Sequence, residues 1–410
     1  MGKFFRLFIS LILLLASHDF IFSSDKLIDN FFIYNTVPDK NNFVVVDKFQ
    51  NKLFVYEVKD SNNLKLIKDF KILVGENKGD KERKGDKKTP EGIYFVQNFI
   101  SSKKLSPKYG PGAFTLDYPN PFDKIFDKTG GGIWIHGFDE NENKNSTEGC
   151  VVLNNKDFLE LSKYIKSGTP VIITNKLSYL NTTQYSKNKK DHLNTFNLFL
   201  KNWIDGDFEK FKLSVDEKYN NDGINYKSFL ASKKALFNKI NYRKIVTSDL
   251  IVYKENSKLL FDFNQFYCAS NLSVYGRKKM YFFKEKLITE DFKDYDKREF
   301  VKKEVVEFIN KWISSWEAKN IGRYKAAYSD KFPHLKDWIK DKQDKFTKYK
   351  TINVEYKNLS IKEETPIRYS VSFLQTFKTN NYQDIGLKRI TLEGCPGDFK
   401  IASETWEKSK

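Results

Sequence analysis

The sequence predicts a multidomain α+β protein, in which one β-rich domain is followed by two similar, smaller α+β domains. Three observations predict it. A chain of 410 residues is long for one hydrophobic core and points to two to four units. The stretch 42–175 reads as strand, turn and strand, and the stretch 192–407 looks duplicated at a spacing of about 110 residues, too long for a solenoid. Hydrophobic residues at 40% and aromatics at 16% supply packed cores and exclude a disordered chain.

The chain opens with Met1-Gly-Lys-Phe-Phe-Arg6, an apolar run from Leu7 to Ala16 and the polar break Ser17-His18-Asp19. A basic start before a short apolar run is the layout of a secretory signal, so residues 1–24 are expected to direct export to the periplasm. An uncleaved segment acting as a membrane anchor is the alternative, and residues 25–41 form an N-terminal segment. From residue 42, Phe43–Val46, Leu53–Tyr56, Phe70–Val74 and Gly92–Val96 carry the β-branched and aromatic runs of strands. The polar stretch Gly75–Pro90 is expected to be a loop. Strand-like segments recur at Ile133–Ile135 and Val171–Thr174, with a helix from about Asn155 to Ser167 stopped by Gly168 and Pro170. Residues 42–175 therefore form one domain, and the Asn, Ser, Thr and Lys composition of 176–191 reads as a linker.

Two stretches then match. Aligning Trp203 with Trp316 brings Phe208 onto Ile321 and Phe211 onto Tyr324; slightly shifted, Phe229 and Phe237 match Trp338 and Phe346. The strand-rich tails match around Gly276-Arg-Lys-Lys and Gly386-Leu-Lys-Arg. Helix first, then several strands with aromatic faces, resembles the cone-shaped NTF2-like fold, which is expected over 192–296 and 300–407. The repeats carry no chemistry of their own, and a glycan, a peptide or a protein is open as their ligand.

A formal charge of +18 would suit a polyanion, but the lysines are interleaved with Asp, Asn and Glu along the whole length. That is a solvated surface, and no nucleic-acid partner is expected. The three cysteines Cys150, Cys268 and Cys395 cannot build a disulfide framework and lack the close pairing of a zinc site. Cys268 and Cys395 read as buried small apolar residues, so Cys150 is the thiol to explain.

The chemistry lies in Gly130-Gly-Gly-Ile-Trp-Ile-His-Gly137 and Ser146-Thr-Glu-Gly-Cys-Val-Val-Leu153. A thiol attacks carbonyls only as its thiolate, and at neutral pH it needs an adjacent base. Of four histidines, His136 alone shares a domain with this cysteine. Gly137 and Gly149 let backbone approach a substrate, and the amides of Gly149 and Cys150 are natural oxyanion donors. Such a site needs neither metal nor cofactor.

His136-Gly137, a variable loop and Thr147-Glu148-Gly149-Cys150 resemble the signature of the L,D-transpeptidases with a YkuD-like catalytic domain. Thr89-Pro-Glu-Gly92 is similar to the family's Thr-Pro-x-Gly motif, and Tyr109-Gly-Pro-Gly112 with Asp117-Tyr-Pro-Asn120 resembles site-lining segments of carboxypeptidase-like members. The resemblance implies Cys150 as nucleophile, His136 as base and a Gly137 backbone carbonyl orienting it. It implies Thr147, Glu148, Gly149, Trp134, Tyr109 and Tyr118 as substrate-contacting or oxyanion residues. The implied substrate is the stem peptide of peptidoglycan, cut at the L-centre of the position-three diamino acid. Many members carry Arg two residues after the nucleophile, where this chain has Val152, as in the YafK-like branch. An L,D-carboxypeptidase is therefore expected; cross-linking or D-amino-acid exchange is the alternative. A decayed, wall-binding scaffold is the alternative of another class, disfavoured by intact His136, Gly149 and Cys150.

Overall fold

Consecutive residues in the first strands split between two cores. In Asn42–Asp47 and Lys52–Asp60, Val44, Val46, Leu53 and Val55 pack into one hydrophobic cluster, while Phe43, Val45, Phe54 and Tyr56 pack into another. Side chains alternate along a strand, so a sheet buried on both faces reads as an unbroken apolar run. A computed structural model describes residues 27–34, 42–60, 63–138, 145–240 and 242–409. The expected signal over 1–24 lies outside the described residues.

Among the described residues, the sheet of this first domain has eight strands. Their spatial order is Asn63–Lys71, Lys52–Asp60, Asn42–Asp47, Pro170–Thr174, Gly92–Ser101, Gly112–Leu116, Trp134–His136 and Val151–Val152. Beyond Lys71 the chain crosses to the far edge, where Leu73 exchanges both backbone hydrogen bonds with Val152 and Gly75 bridges Thr147. The sheet thereby curls back on itself around the cluster that contains Ile135, Val151 and Phe158. The expected helix from Asn155 is shorter than its sequence pattern suggested. It spans Asn155–Leu161, capped by Asn154, and turns carry the chain to Gly168 at φ +85°.

Two bodies follow with the same order of helices and long strands, the first adding a short hairpin of Asn220–Asn221 with Ile224–Asn225. Helices Thr182–Asp205, Phe208–Leu213 and Tyr226–Lys239 precede four antiparallel strands, Arg243–Glu255, Lys258–Ala269, Leu272–Phe283 and Lys286–Tyr295. Helices Arg298–Glu317, Ile321–Ala326 and Leu335–Lys348 then precede Ile352–Thr365, Arg368–Thr379, Gln383–Glu393 and Lys400–Lys408. The registers agree as well, since Gly276 pairs with Gln265 and Gly386 with Gln375. A buried lysine–glutamate pair recurs at matching places, Lys278–Glu290 at 2.8 Å and Lys388–Glu404. A helix lysine lies over the matched tryptophan in each: Lys233 is 4.2 Å from the Trp203 ring centre and Lys342 is 4.9 Å from that of Trp316.

Three expectations are corrected. Residues 176–191 are not a linker: Tyr179–Leu180 pairs with Leu27–Ile28, and the first helix starts at Thr182 behind a capping box of Asn181 and Gln184. The described part of the expected N-terminal segment 25–41, residues 27–34, is not separate either, because Phe31–Ile33 forms the fifth strand of the following domain's sheet, with Phe32 opposite Val252. Finally, Cys268 and Cys395 are not two independent apolar residues. They form a disulfide, Cα–Cα 5.9 Å, that ties a strand of one C-terminal domain to the loop before the last strand of the next. Both are fully buried, as expected of small core residues.

Candidate active site

His136 ends one strand of the curled sheet, and Cys150 immediately precedes the neighbouring strand. Trp134–His136 runs parallel to Val151–Val152, with Ile135 opposite Val151 and His136 opposite Val152. Ile135 and Val151 point into the core, so alternation sends Trp134, His136 and Cys150 to the opposite face. The Leu153 amide donates to the His136 carbonyl at 3.0 Å and fixes the stagger between the strands.

Backbone geometry presents the thiol. Gly149 sits at φ +127°, and a Cβ there would stand 2.7 Å from the Lys88 carbonyl oxygen, so only glycine fits. Thr147 ties the turn from both sides: its hydroxyl donates to the Cys150 carbonyl at 2.8 Å and accepts the Gly149 amide at 3.0 Å. This corrects the expectation for Gly149, whose N–H is already held within the turn. Cys150 is half-buried, with Sγ donating to the Gly132 carbonyl at 3.4 Å. Burial pushes its thiol up, partly offset by the Trp134 backbone amide; Glu148 adds to the rise while Lys108 and Lys81 oppose it. At neutral pH the sulfur therefore carries its proton, and attack requires a base.

His136 is buried, and Nδ1 faces the Gly137 carbonyl oxygen. A carbonyl can only accept, so the proton resides on Nδ1, and Nε2 of the neutral ring is the basic nitrogen. Tyr109 meets the imidazole edge-to-face with ring centres 4.9 Å apart and lies 5.0 Å from the Trp134 ring. The Lys108 ammonium stands 5.0 Å from the Tyr109 ring centre. Tyr109, Trp134, His136, Thr147, Gly149 and Cys150 are thus brought together, with Gly137 behind the imidazole and exposed Glu148 in the turn. Tyr118 is not among them. It is buried in the core and donates to the Thr129 carbonyl at 3.1 Å, which removes its hydroxyl from any substrate and braces the glycine run from behind.

The loop Gly75–Pro90 forms one wall and is held by charge. Asp86 accepts from the Lys81 ammonium at 2.6 Å and from the amides of Glu82, Arg83 and Lys88. Burial alone would raise this carboxyl, but Lys81 and the three amides outweigh it and hold it well below the usual carboxylate range. Lys81 and Asn155, which touches Gly137 from the helix behind it, were not singled out from the sequence. Gly-Asp at 85–86 was a legible signal for the first; nothing local marks the second.

Comparison with known proteins agrees with this geometry. Residues 41–173 match the L,D-transpeptidase catalytic domain (YkuD), and residues 304–405 match the Cds6 C-terminal NTF2-like domain. No curated protein matches the chain. Among solved structures, Bd1075 of Bdellovibrio bacteriovorus is 32% identical, with a TM-score of 0.60 over 67% of this chain and 100% of that one. The helical cell shape determining protein Pgp2 of Campylobacter jejuni is 26% identical, with a TM-score of 0.54 over 65% of this chain and 96% of that one. An imidazole on one strand and a thiol just before its partner strand, inside a matched catalytic domain and beside a relative covered along its whole length, place the chain in the L,D-transpeptidase (YkuD) family, with an NTF2-like domain at its C-terminal end.

Proposed function

We propose that this chain is an exported cysteine L,D-carboxypeptidase that trims peptidoglycan stems from tetrapeptide to tripeptide. His136 Nε2 takes the Cys150 proton as sulfur attacks the carbonyl of the position-three diamino acid at its L-centre. The Cys150 backbone amide is the donor for the developing oxyanion. The tetrahedral adduct collapses, D-Ala leaves as the amine with the proton from His136, and a thioester remains. Water, deprotonated by His136, releases the tripeptide and the thiol.

The observation that carries the choice of water is Val152. Its side chain is buried and its backbone is locked to Leu73, so the position two residues after the nucleophile offers no cation to dock a charged amine acceptor. Positioning an acceptor ahead of bulk water is worth several kcal/mol, and its loss favours hydrolysis. Export is supported by the Cys268–Cys395 disulfide, since such bonds persist in oxidising compartments. A role in cell shape is supported by likeness to Pgp2, described as a helical cell shape determining protein. A glycan, a peptide or a protein is the ligand the C-terminal domains would take.

Purified protein incubated with tetrapeptide muropeptides and excess amine acceptor tests the reading by mass. Free tripeptide as the main product is expected; dimers or exchanged stems in excess would make it a transpeptidase instead.

A further inference from the structure

We infer that Asn155 is a positioning residue that sets the tautomer of His136 by gripping the far end of a single peptide unit. The inference rests on the roles proposed for Cys150 and His136. The unit is the Gly137–Phe138 peptide. Its carbonyl faces His136 Nδ1, and its amide donates to Asn155 Oδ1 at 3.1 Å. A trans peptide is planar, with C=O and N–H pointing in opposite directions, so holding the N–H aims the carbonyl. The Asn155 amide oxygen and the imidazole therefore grip one rigid plate from its two ends.

The surroundings leave this plate little freedom. A Cβ on Gly137 would lie 2.4 Å from Asn155 Oδ1 and 2.7 Å from Pro111 Cδ, so the Asn155 oxygen is packed directly on the backbone it holds. A Cβ on Gly110 would lie 2.2 Å from the same oxygen and 2.9 Å from the Phe138 nitrogen. Gly110 follows Tyr109, whose ring abuts His136. One side-chain oxygen thus joins the loop carrying Tyr109, the turn after His136 and the helix after Cys150. Asn155 itself is fixed as the first residue of the helix capped by Asn154, whose side chain accepts the Asp157 amide at 2.8 Å.

If the carbonyl of Gly137 rotated away, the Nδ1 proton would lose its partner and the ring could carry it on Nε2, where it cannot accept from the thiol. A wrong tautomer impairs turnover without changing substrate binding. Asn155→Ala is expected to lower kcat about 10- to 100-fold with KM little changed. The readout that a merely structural role would not move is the tautomer, followed by nitrogen-15 NMR of histidine. The wild type and Asn155→Asp, which keeps the accepting oxygen, should show protonated Nδ1, and Asn155→Ala a mixture. Iodoacetamide alkylation of Cys150 near neutral pH should fall in Asn155→Ala towards the rate of His136→Ala. An unchanged tautomer and alkylation profile in Asn155→Ala would overturn the inference whatever happened to kcat. Should the alanine variant fail to fold, a mixed tautomer in Asn155→Asp overturns it alone. A wild type that turned over no stem peptide would sink the functional reading, yet the tautomer and alkylation measurements would still decide the role of Asn155.

Discussion

Reducing the Cys268–Cys395 disulfide should loosen the C-terminal half of the protein and leave the catalytic domain standing. The bond closes a loop with a sequence separation of 127, and both sulfurs lie in the core of the last domain. In the chain-entropy account a loop of that length contributes ~5 kcal/mol at most, and measured disulfides typically give about 2–4 kcal/mol. Two buried thiols would still pack as small apolar residues, so the loss is mainly this unfolded-state term. For a unit of roughly 200 residues each kcal/mol moves Tm by about 2–4 °C, which predicts a fall of roughly 10 °C. Scanning calorimetry with and without a phosphine reductant measures it, alongside thiol counting by mass. One reactive thiol before reduction and three after are expected. Three thiols titrating in folded protein isolated from an oxidising compartment, or an unchanged Tm on reduction, would refute the reasoning.

Cys150→Ala and His136→Ala should each lower turnover of stem peptides by roughly a thousandfold or more while the melting curve stays in place. A carbapenem, which offers a strained acyl group, should add once and only at Cys150, as peptide mapping would show. Burial raises the Cys150 thiol, so its pH dependence has a definite sign: in His136→Ala, alkylation should stay slow through neutral pH and climb only in the alkaline range above the ordinary thiol value. Fast alkylation of that variant at neutral pH would mean that the neighbouring lysines, not His136, supply the activation.

The strands of the catalytic domain were legible because both faces of the sheet are buried, which leaves unbroken apolar runs such as Phe43–Val46. Cys150 and His136 were legible because the glycines beside them are obligatory, as the Gly149 contact with Lys88 shows. Other features were hidden for physical reasons. The helix from Thr182 begins with Asn, Thr, Gln and Lys, which resemble a linker until the reciprocal bonds of Asn181 and Gln184 are seen. An odd cysteine count concealed a bond between residues far apart in sequence. The Phe31–Ile33 strand finds its partner at Ile251–Tyr253, a pairing across more than 200 residues that no local pattern announces. Tyr118 belonged to a recognisable motif, but its hydroxyl is spent on Thr129.

The first C-terminal domain meets the catalytic domain away from the strands that carry the candidate site. The first C-terminal domain docks on the sheet face formed by Phe43, Val45, Phe54, Ile93, Phe95 and Ile172, meeting it with Ile251, Tyr253, Leu260 and Tyr281. Those catalytic-domain residues lie on the central strands, whereas His136 and Cys150 lie on and beside the last two strands of the sheet order. Phe31 stacks on Phe43 with ring centres 4.1 Å apart and meets Tyr253 edge-on at 5.2 Å, so the N-terminal strand stitches the two sheets together. Among the described residues the last domain adds none to this shared core; it is joined to the one before it through Phe266, Phe300 and the disulfide. A core shared across the seam holds the catalytic domain against its neighbour. Joining at the central strands leaves His136 and Cys150 outside the shared core, so the seam fixes the neighbouring domain without involving the strands that carry the site.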